Sequence, residues 1–396
     1  MKARWQVKTL GDVCQIKPPK SEARNKVAAD ELVSFLPMEA LGIDRKLVRA
    51  NQEKPLSEVA GSYTYFADGD ALLAKITPCF ENGKLGIVEG LTNGIGFGSS
   101  EYIVFRPYEM LNKEWLYYYL SREVFRVEGA ARMSGAVGHK RVAKDFIEGY
   151  PIPVPPLSEQ RRIVGILDEA FDGIATAKAT AEKNLQNARA LFESHLQSVF
   201  TQRGEGLEET TLGEVCEFIG GSQPPKSVFS KTKKADNIRL IQIRDYKSDK
   251  HVVYIPRALA RRFCNADDVM IGRYGPPLFQ ILRGLEGAYN VALMKAVPDE
   301  SKLSRDFLFF FLRHSTILEY VIYHSERAAG QIGLTKETLA PYPIALPSLV
   351  NQQKIVETIT ELESKTKHLE SLYQRKLAAL DALKQSLLHQ AFSGQL

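Results

Sequence analysis

Two stretches of the chain carry apolar or small residues at alternating spacings of three and four positions, which is the pattern of an amphipathic helix. One stretch follows Pro156 and the other follows Pro347, and each runs for more than forty residues without proline. The repeating positions form a heptad seam, which predicts a long helix that packs against another helix. The seam positions are Ile163, Leu167, Ala170, Ile174, Ala177, Ala181, Ala188 and Leu191 in the first stretch, and Ile355, Ile359, Leu362, Thr366, Leu369, Tyr373, Leu380, Leu383 and Leu387 in the second.

The two predicted helices belong to an internal repeat. Residues 150–164, YPIPVPPLSEQRRIV, recur at 342–356 as YPIALPSLVNQQKIV, a shift of 192. The string TLGDVC at Thr9–Cys14 recurs as TLGEVC at Thr211–Cys216, a shift of 202. Because both anchors keep their order, we interpret the chain as a duplicated unit in which a divergent region precedes a similar helical segment. The predicted domains are residues 1–150, 151–206, 207–342 and 343–396.

The divergent regions alternate short β-rich runs with turns, and each then ends in a helical stretch. Strands are predicted at 71–76, 84–89 and 101–106 before a helix over 111–129, and at 237–244, 268–272 and 291–297 before a helix over 304–323. The predicted fold class is α+β, with two α/β heads and two long helices. For a pseudo-two-fold axis to relate the repeats, the helices must run antiparallel, which separates the heads.

Composition and charge narrow the class of protein only slightly. The 396 residues are 44% hydrophobic and 25% charged, as in ordinary globular proteins, and the net charge is only +5. Four cysteines lie far apart, so we expect neither a disulfide framework nor a structural zinc site. With no secretory h-region and no apolar run of membrane-spanning length, we expect a cytoplasmic protein. The basic excess lies in the divergent regions, most densely at Lys226, Lys231, Lys233, Lys234, Arg239, Arg244 and Lys247.

A search for catalytic motifs finds none. The string GIGFG at Gly94–Gly98 leads towards a strand and not into a helix, so it lacks the helix N-terminus that a dinucleotide loop needs. The string PDESK at Pro298–Lys302 places its two acidic residues side by side, which favours a charged loop over a nuclease site. The seven histidines form no HxxxH or HExxH spacing. We therefore expect no catalytic residue, no metal site and no cofactor site on this chain.

The repeated motif carries a family resemblance. A YPIPxPPLxEQxxIV string that leads into a heptad helix, found twice and each time after a divergent domain, resembles the specificity (S) subunit of type I restriction-modification enzymes. The second copy departs from the pattern, since Val350 and Asn351 replace Ser158 and Glu159. The resemblance implies two target recognition domains, 1–150 and 207–342, separated by an antiparallel coiled coil of two conserved regions. The strings RMSGAVGHKR at 132–141 and RAAGQIGLTK at 327–336 resemble the basic glycine-containing loop that closes such a domain.

The resemblance implies that each head binds one half of an asymmetric, bipartite DNA site and that the helices set the gap between the halves. Side chains that can hydrogen-bond base edges or phosphates are the candidate contacts. In the first head they are Lys75, Thr77, Lys84, Ser99, Ser100, Arg132, Ser134, His139, Lys140 and Arg141. In the second they are Arg244, Arg273, Tyr274, Gln280, Tyr289, Asn290, Arg327, Gln331 and Lys336.

The resemblance also implies protein partners. Two methylation (M) subunits would dock on the helices and heads and use S-adenosylmethionine, and a motor-nuclease (R) subunit would use ATP with Mg. None of these cofactors is expected to bind this chain. The residues alone leave open a duplicated coiled-coil adaptor with protein-binding heads, because clusters of charge are often only solvated surfaces. An enzyme with an undetected site is disfavoured by the motif search.

Overall fold

The computed structural model describes residues 5–136, 138–201, 207–326 and 333–396. The chain divides into two compact units. Unit 1 comprises Met1–Ala181 with Arg375–Leu396, and unit 2 comprises Glu182–Gln374. The two divisions, after residues 181 and 374, fall within one residue of matching positions in the 192-residue repeat.

Unit 1 contains the first head, called head 1, which extends from Gln6 to Val154. Its strands are β1 Gln6–Thr9, β2 Cys14–Ile16, β3 Leu32–Leu36, β4 Leu47–Val48, β5 Gln52–Pro55, β6 Thr64–Ala67, β7 Ala71–Ala74, β8 Leu85–Val88, β9 Ile95–Gly98, β10 Tyr102–Pro107 and β11 Pro151–Val154. Its helices are α1 Leu10–Val13, α2 Ser21–Arg24, α3 Leu56–Val59, α4 Lys113–Leu120, α5 Glu123–Ala131 and α6 Lys144–Glu148. The first long helix, α7, follows as Leu157–Thr201.

Unit 2 contains the second head, called head 2, which extends from Glu208 to Leu346. Its strands are β12 Glu208–Thr211, β13 Cys216–Gly220, β14 Asn237–Ile241, β15 Tyr254–Pro256, β16 Phe263–Cys264, β17 Val269–Gly272, β18 Gln280–Leu282, β19 Gly287–Tyr289, β20 Leu293–Pro298 and β21 Pro343–Leu346. Its helices are α8 Leu212–Val215, α9 Arg305–Phe311, α10 Ser315–Glu326 and α11 Lys336–Leu339. The second long helix, α12, is Leu349–Ser393.

The sheets of the two heads have corresponding strand orders. Head 1 has a sheet ordered β2-β10-β7-β8-β4 and another ordered β5-β3-β9-β6. Head 2 has sheets ordered β13-β20-β17-β18 and β15-β14-β19-β16. Apart from the edge strand β4 of head 1, the described strands of the two heads share one topology, and the predicted α+β fold class is confirmed. The predicted helices over 111–129 and 304–323 are each interrupted, at residues 121–122 and 312–314, and so form two shorter helices.

The two anchors of the repeat pair with each other in each unit. Strand β1 runs antiparallel to β11, and β12 runs antiparallel to β21, with Thr9 opposite Pro151 and Thr211 opposite Pro343. The threonine then begins a one-turn helix with a capping box, because Asp12 or Glu214 bonds back to its backbone N–H. The ladder thus joins the start of each head to the proline-rich segment that leads into its long helix.

A buried glutamine fixes the start of each long helix against its head. Gln160 has no exposed surface, and its Oε1 accepts a hydrogen bond from the N–H of Asn112 at 2.8 Å. Its Nε2 donates to the carbonyls of Met110 and Pro155 at 2.9 and 2.8 Å. Gln352 makes the same three bonds, to Ser304, Lys302 and Pro347, at 2.9, 2.7 and 3.0 Å. All of these positions differ by 192 between the two sets.

The long helices run antiparallel within each unit. In unit 1, Ile163 and Leu167 share a core with Leu388 and Ala391, and Lys178 pairs with Asp381 at 2.7 Å. In unit 2, Arg189 pairs with Glu370 at 3.0 Å, and residues Phe192 and Leu196 share a core with Ile359.

Part of the predicted seam is wrong. Leu191 is 64% exposed, whereas Phe192 and Leu196 are buried in its place, and Leu369 and Leu383 are also exposed. A strict heptad assumes 3.5 residues per turn, but a straight α-helix has 3.6, so its contact face drifts away from heptad positions.

None of the described helices is long and apolar enough to span a membrane. Within the same residues, no group of three or more His, Cys, Asp or Glu side chains is arranged to hold a metal ion. The GIGFG string contains strand β9, preceded by Gly94 at a φ of 68°.

Candidate nucleic-acid interface

The loop that closes head 1 is a backbone-paired hairpin. Ser134 and Arg141 exchange hydrogen bonds, with Ser134 N–H to Arg141 O at 3.1 Å and the reverse bond at 2.8 Å. The predicted contact residues in this loop have exposed side chains; they are Arg132, Ser134, His139, Lys140 and Arg141. Gly135 and Gly138 have φ values of 127° and 80°, which a side chain would oppose, so the loop requires glycine there.

The closing loop is attached to the turn after β7. The N–H of Thr77 donates to the carbonyl of Lys140 at 2.9 Å, and the N–H of Val142 donates to that of Lys75 at 3.0 Å. The Arg141 guanidinium donates to both carboxylate oxygens of Glu101, at 2.9 and 2.8 Å, and this holds the pKa of Glu101 below its usual range.

Lys75, Ser99 and Ser100 join the same group of side chains. The Nζ of Lys75 donates to the carbonyl of Ser100 at 2.9 Å and lies 4.0 Å from Glu101. Ser99 Oγ accepts from the N–H of Glu101 at 3.2 Å. Three segments of head 1 therefore meet at one surface that combines basic and hydroxyl groups.

Two further predicted contacts of head 1, Thr77 and Lys84, also have intramolecular partners. Thr77 Oγ1 donates to Glu81 at 2.8 Å, and the Nζ of Lys84 donates to the carbonyl of Met38 at 2.8 Å. Both side chains are half-buried, so in this conformation they mainly stabilise the turn between β7 and β8.

Head 2 has a corresponding group of side chains at the turn between β17 and β18. The N–H of Leu334 donates to the carbonyl of Arg273 at 3.1 Å, as Val142 does to Lys75. The Arg273 guanidinium donates to the carbonyl of Leu334 at 2.8 Å and lies 5.3 Å from the ring of Tyr274. Gln280 begins β18, and its Nε2 donates to the carbonyl of Pro277 at 3.0 Å.

Tyr289 and Asn290 occupy different positions in head 2. Tyr289 is 1% exposed, and its hydroxyl donates to the carbonyl of Ile219, so the structure places it in the core and not at a DNA-accessible surface. Burial raises its pKa to about 12. Asn290 is half-buried, and its Oδ1 accepts from the N–H of Ala292 at 3.2 Å. A tyrosine in a β-rich run gives no sequence signal that separates a core position from a surface one.

The closing loop of head 2 is described only at its end. The predicted contacts Arg327 and Gln331 lie outside the described residues. Lys336 is exposed at the start of α11, and its Nζ lies 3.9 Å from Glu337.

The basic stretch of head 2 contributes to one groove. Lys231, Arg239 and Arg244 line a groove of about 510 Å³ together with Lys250 and His251. Among the described residues that line it, one side chain is acidic: Asp249, which pairs with Arg239 at 2.8 Å. Arg244 is thus placed with other basic groups, apart from the turn that carries Arg273. Lys250 and His251 were not predicted, although they follow Lys247, the last residue of the basic stretch, by three and four positions.

Head 1 has a basic cleft that sequence reasoning missed. It combines the predicted Lys75 and Ser100 with three further lysines, Lys17, Lys20 and Lys144. Lys17 and Lys20 flank two prolines in the string KPPK, and this pair of closely spaced lysines is the sequence signal for the cleft.

Comparison with known protein families identifies the family to which the chain belongs. A family model described as the type I restriction modification DNA specificity domain matches residues 2–186 and again residues 204–376. The chain belongs to this family, and the expected family resemblance is confirmed. The two matches follow the internal repeat: each covers one head and the first part of the long helix that follows it.

A curated relative agrees with this assignment. The chain is 40% identical over 215 residues to the type I restriction enzyme EcoAI specificity subunit of Escherichia coli, an alignment that covers 54% of this chain and 34% of that protein. The alignment thus spans about a third of that relative.

Two solved structures share the fold along almost the whole chain. One chain, from work on complex assembly and conformational transition of the type I R-M system, has a TM-score of 0.81 at 22% identity and covers 100% of this chain and 99% of its own length. The HsdS subunit from Thermoanaerobacter tengcongensis has a TM-score of 0.64 at 21% identity, with 100% and 98% covered. At these identities the likeness concerns the fold.

Proposed function

We propose that this chain is the DNA-specificity subunit of a type I restriction-modification system and that each head binds one half of a bipartite DNA site. The observation that carries the proposal is that both heads present polar and basic side chains from the same two backbone segments. These are the turn that begins at Lys75 or Arg273 and the closing loop attached to it through Val142 or Leu334. A duplicated scaffold with two different sets of side chains suits a site with two different halves.

The two heads should read different sequences because their side chains differ in hydrogen-bonding geometry. Arg273 can donate two parallel hydrogen bonds to guanine, whereas Lys75 offers a single ammonium group. The half-sites are therefore unequal, and the whole site is asymmetric.

The long helices set the gap between the half-sites in this proposal. Each has 45 residues, which corresponds to about 68 Å at 1.5 Å per residue. Half-sites on one face of DNA lie about 34 Å apart per helical turn, so heads held by such helices can reach both halves by extending inward.

The chain acts without a catalytic site of its own in this account. Two methylation subunits dock on the helices and heads, supply S-adenosylmethionine and methylate adenine; motor-nuclease subunits, where present, supply ATP with Mg. The complex works in the cytoplasm, where its DNA lies.

A salt titration separates this proposal from the adaptor alternative. The full chain is titrated against a labelled duplex of random sequence between 50 and 200 mM salt. A DNA-binding chain loses affinity steeply as salt rises. Its binding releases cations from the DNA phosphates, and that release is less favourable at a higher salt concentration. An adaptor with protein-binding heads shows no salt-dependent affinity, and that outcome would overturn the proposal.

A further inference from the structure

The basic cleft of head 1 has a volume of about 330 Å³ and is lined by residues from both larger sheets and from α6. Its four lysines are Lys17, Lys20, Lys75 and Lys144, and none of the described residues that line it is acidic. Hydroxyl groups of Ser62, Tyr63 and Ser100 and apolar side chains complete its walls. The cleft therefore offers positive charge and hydrogen-bond donors around a partly apolar floor.

The backbone holds Lys17 in an unusual conformation at this cleft. Its φ is 60°, in the left-handed region that a residue with a side chain occupies at an energetic cost. The N–H of Lys17 donates to the carbonyl of Val104 at 2.9 Å, which extends the pairing of β2 with β10 by one residue. Such strain persists where surrounding structure enforces it, and it is common at binding sites.

Two of the ammonium groups donate to backbone carbonyls, and that of Lys75 also lies 4.0 Å from Glu101. Lys20 Nζ donates to Gly61 O at 2.6 Å, and Lys75 Nζ donates to Ser100 O at 2.9 Å. An ammonium has three donors, so each retains protons for a ligand. Burial lowers the pKa of both lysines; repulsion from Arg24 and Lys17 adds to this at Lys20, whereas at Lys75 the attraction of Glu101 opposes it and repulsion from Lys17 and Arg141 adds to it. An anion in the cleft would relieve that repulsion.

We propose that this cleft binds phosphate groups of the DNA backbone and so positions head 1 on the duplex without reading its sequence. The inference rests on the proposed function and assigns a second role within the same head. Lys75 belongs both to the cleft and to the surface formed with the closing loop, so a phosphate held here brings neighbouring bases close to that loop. Phosphate contacts fix register, and contacts to base edges choose the sequence.

Two of the cleft lysines, Lys17 and Lys20, have no basic counterpart in head 2, whereas Lys75 and Lys144 correspond to Arg273 and Lys336. The 202-residue shift of the first anchor places Ile219 and Ser222 of head 2 at the positions of Lys17 and Lys20. A change at these two lysines therefore tests head 1 alone.

The test is the salt dependence of binding by the full chain carrying Lys17→Gln and Lys20→Gln. Each phosphate contact contributes about 0.9 to the slope of log affinity against log salt, so loss of two contacts should lower the slope by about 1.8. Affinity for a labelled random duplex near 100 mM salt should fall roughly 10- to 100-fold. The matched control carries Lys26→Gln and Arg49→Gln, two exposed residues of head 1 outside the cleft, and should keep the wild-type slope.

The outcomes separate the two proposals. A wild-type chain with no salt-dependent affinity contradicts the proposed function itself. A wild-type slope that is unchanged in the cleft variant, or changed equally in the control, overturns the cleft assignment alone. Should the glutamine variant unfold, Lys17→Arg with Lys20→Arg keeps the charge and is expected to keep the slope.

A competition arm distinguishes DNA from free nucleotide. Adenosine monophosphate at millimolar concentration should weaken duplex binding by the wild type and lose that effect in the glutamine variant. If the mononucleotide binds at the cleft while duplex affinity stays constant, the cleft is a small-molecule site and the assignment to the DNA backbone is wrong.

Discussion

At the residue scale, burial and hydrogen bonding explain why both copies of the proline-rich motif contain a glutamine. Gln160 and Gln352 are fully buried and each satisfies three backbone groups of the adjoining segments. The second copy replaces Ser158 and Glu159 with Val350 and Asn351, which are exposed. The two copies of the motif therefore differ at exposed positions and are the same at the buried position whose side chain pairs with backbone groups.

Replacing Gln160 with alanine should weaken head 1 locally. Three hydrogen bonds are lost and buried backbone groups are left unpaired, at a cost of about 2–4 kcal/mol. Hydrogen exchange should accelerate in the segment that contains the Asn112 amide but not in the one that contains Ser304. Gln352→Ala should give the reverse pattern.

The exposed neighbour Gln353 is the matched control for the glutamine variants. Gln353→Ala should leave exchange at both amides unchanged. Equal acceleration in both heads by either buried-glutamine variant would contradict a local role.

His314 makes the stability of head 2 depend on pH. It is 2% exposed among Phe200, Phe311 and Tyr342, and neither ring nitrogen has a hydrogen-bond partner among the described residues. Burial lowers its pKa to about 4. In head 1 the same repeat position is Arg122, whose guanidinium lies over Tyr119 and Phe392 at 3.6 and 5.3 Å.

The unfolded chain binds a proton at His314 more readily than the folded chain does, so the free energy of unfolding should fall as pH drops from about 6.5 towards about 4. The full effect is about 3 kcal/mol. His314→Phe removes this titration and keeps the aromatic packing, so its advantage over the wild type should grow at lower pH. Urea unfolding at several pH values measures it.

The exposed His251 provides the control. His251→Gln should retain the wild-type pH dependence. A His314→Phe variant whose advantage is the same at pH 7.5 and pH 4.5 would show that the histidine is not responsible.

At the scale of elements, the periodicity of the sequence predicted the long helices well and their contacts less well. Both helices have 45 residues and begin within two residues of the last proline. The contact face follows 3.6 residues per turn, so Phe192 packs where Leu191 was expected. Hydrophobicity alone does not separate two adjacent apolar residues, because their burial depends on the cumulative turn of the helix.

The strands were predicted only where apolar runs are continuous. Runs at 71–76 and 268–272 match β7 and β17, but the predicted strands do not include β9 at Ile95–Gly98, which contains two glycines. Gly96 and Gly98 leave no room for a Cβ atom, since one would lie 2.1 Å from Phe66 and 2.3 Å from Leu36. Glycine is used here for close packing within a strand, a role that local sequence does not distinguish from a turn.

Lengthening both helices tests whether they set the gap. Seven residues inserted after Ala181, with a matching insertion after Tyr373, preserve the face of the helix and add about 10 Å. The gap in the recognised DNA should lengthen by about 3 base pairs, measured by sequencing methylated sites. An unchanged gap would show that the helices do not set its length. An insertion in one helix alone should abolish methylation at the recognised sites.

At the scale of the whole molecule, the two heads share a topology and differ in their charged surfaces. Head 1 has the lysine cleft, and head 2 has the groove of Lys231, Arg239, Arg244, Lys250 and His251. The net charge of +5 is small because acidic side chains elsewhere offset these local clusters. The overall charge therefore did not reveal these two basic surfaces, because each is formed by separate turns that come together only in three dimensions. The duplication was visible in the sequence because both copies keep the two anchor motifs.

The most direct test of bipartite DNA recognition is the methylome of cells that express this chain with the methylation subunit proposed as its partner. If each head binds one half-site, the methylome should contain one adenine-methylated motif in two unequal halves separated by a fixed, unspecific gap. Exchange of residues 208–346 for the corresponding head of a relative should change one half and leave the other intact. The absence of a split motif, or a palindromic one, would contradict the account.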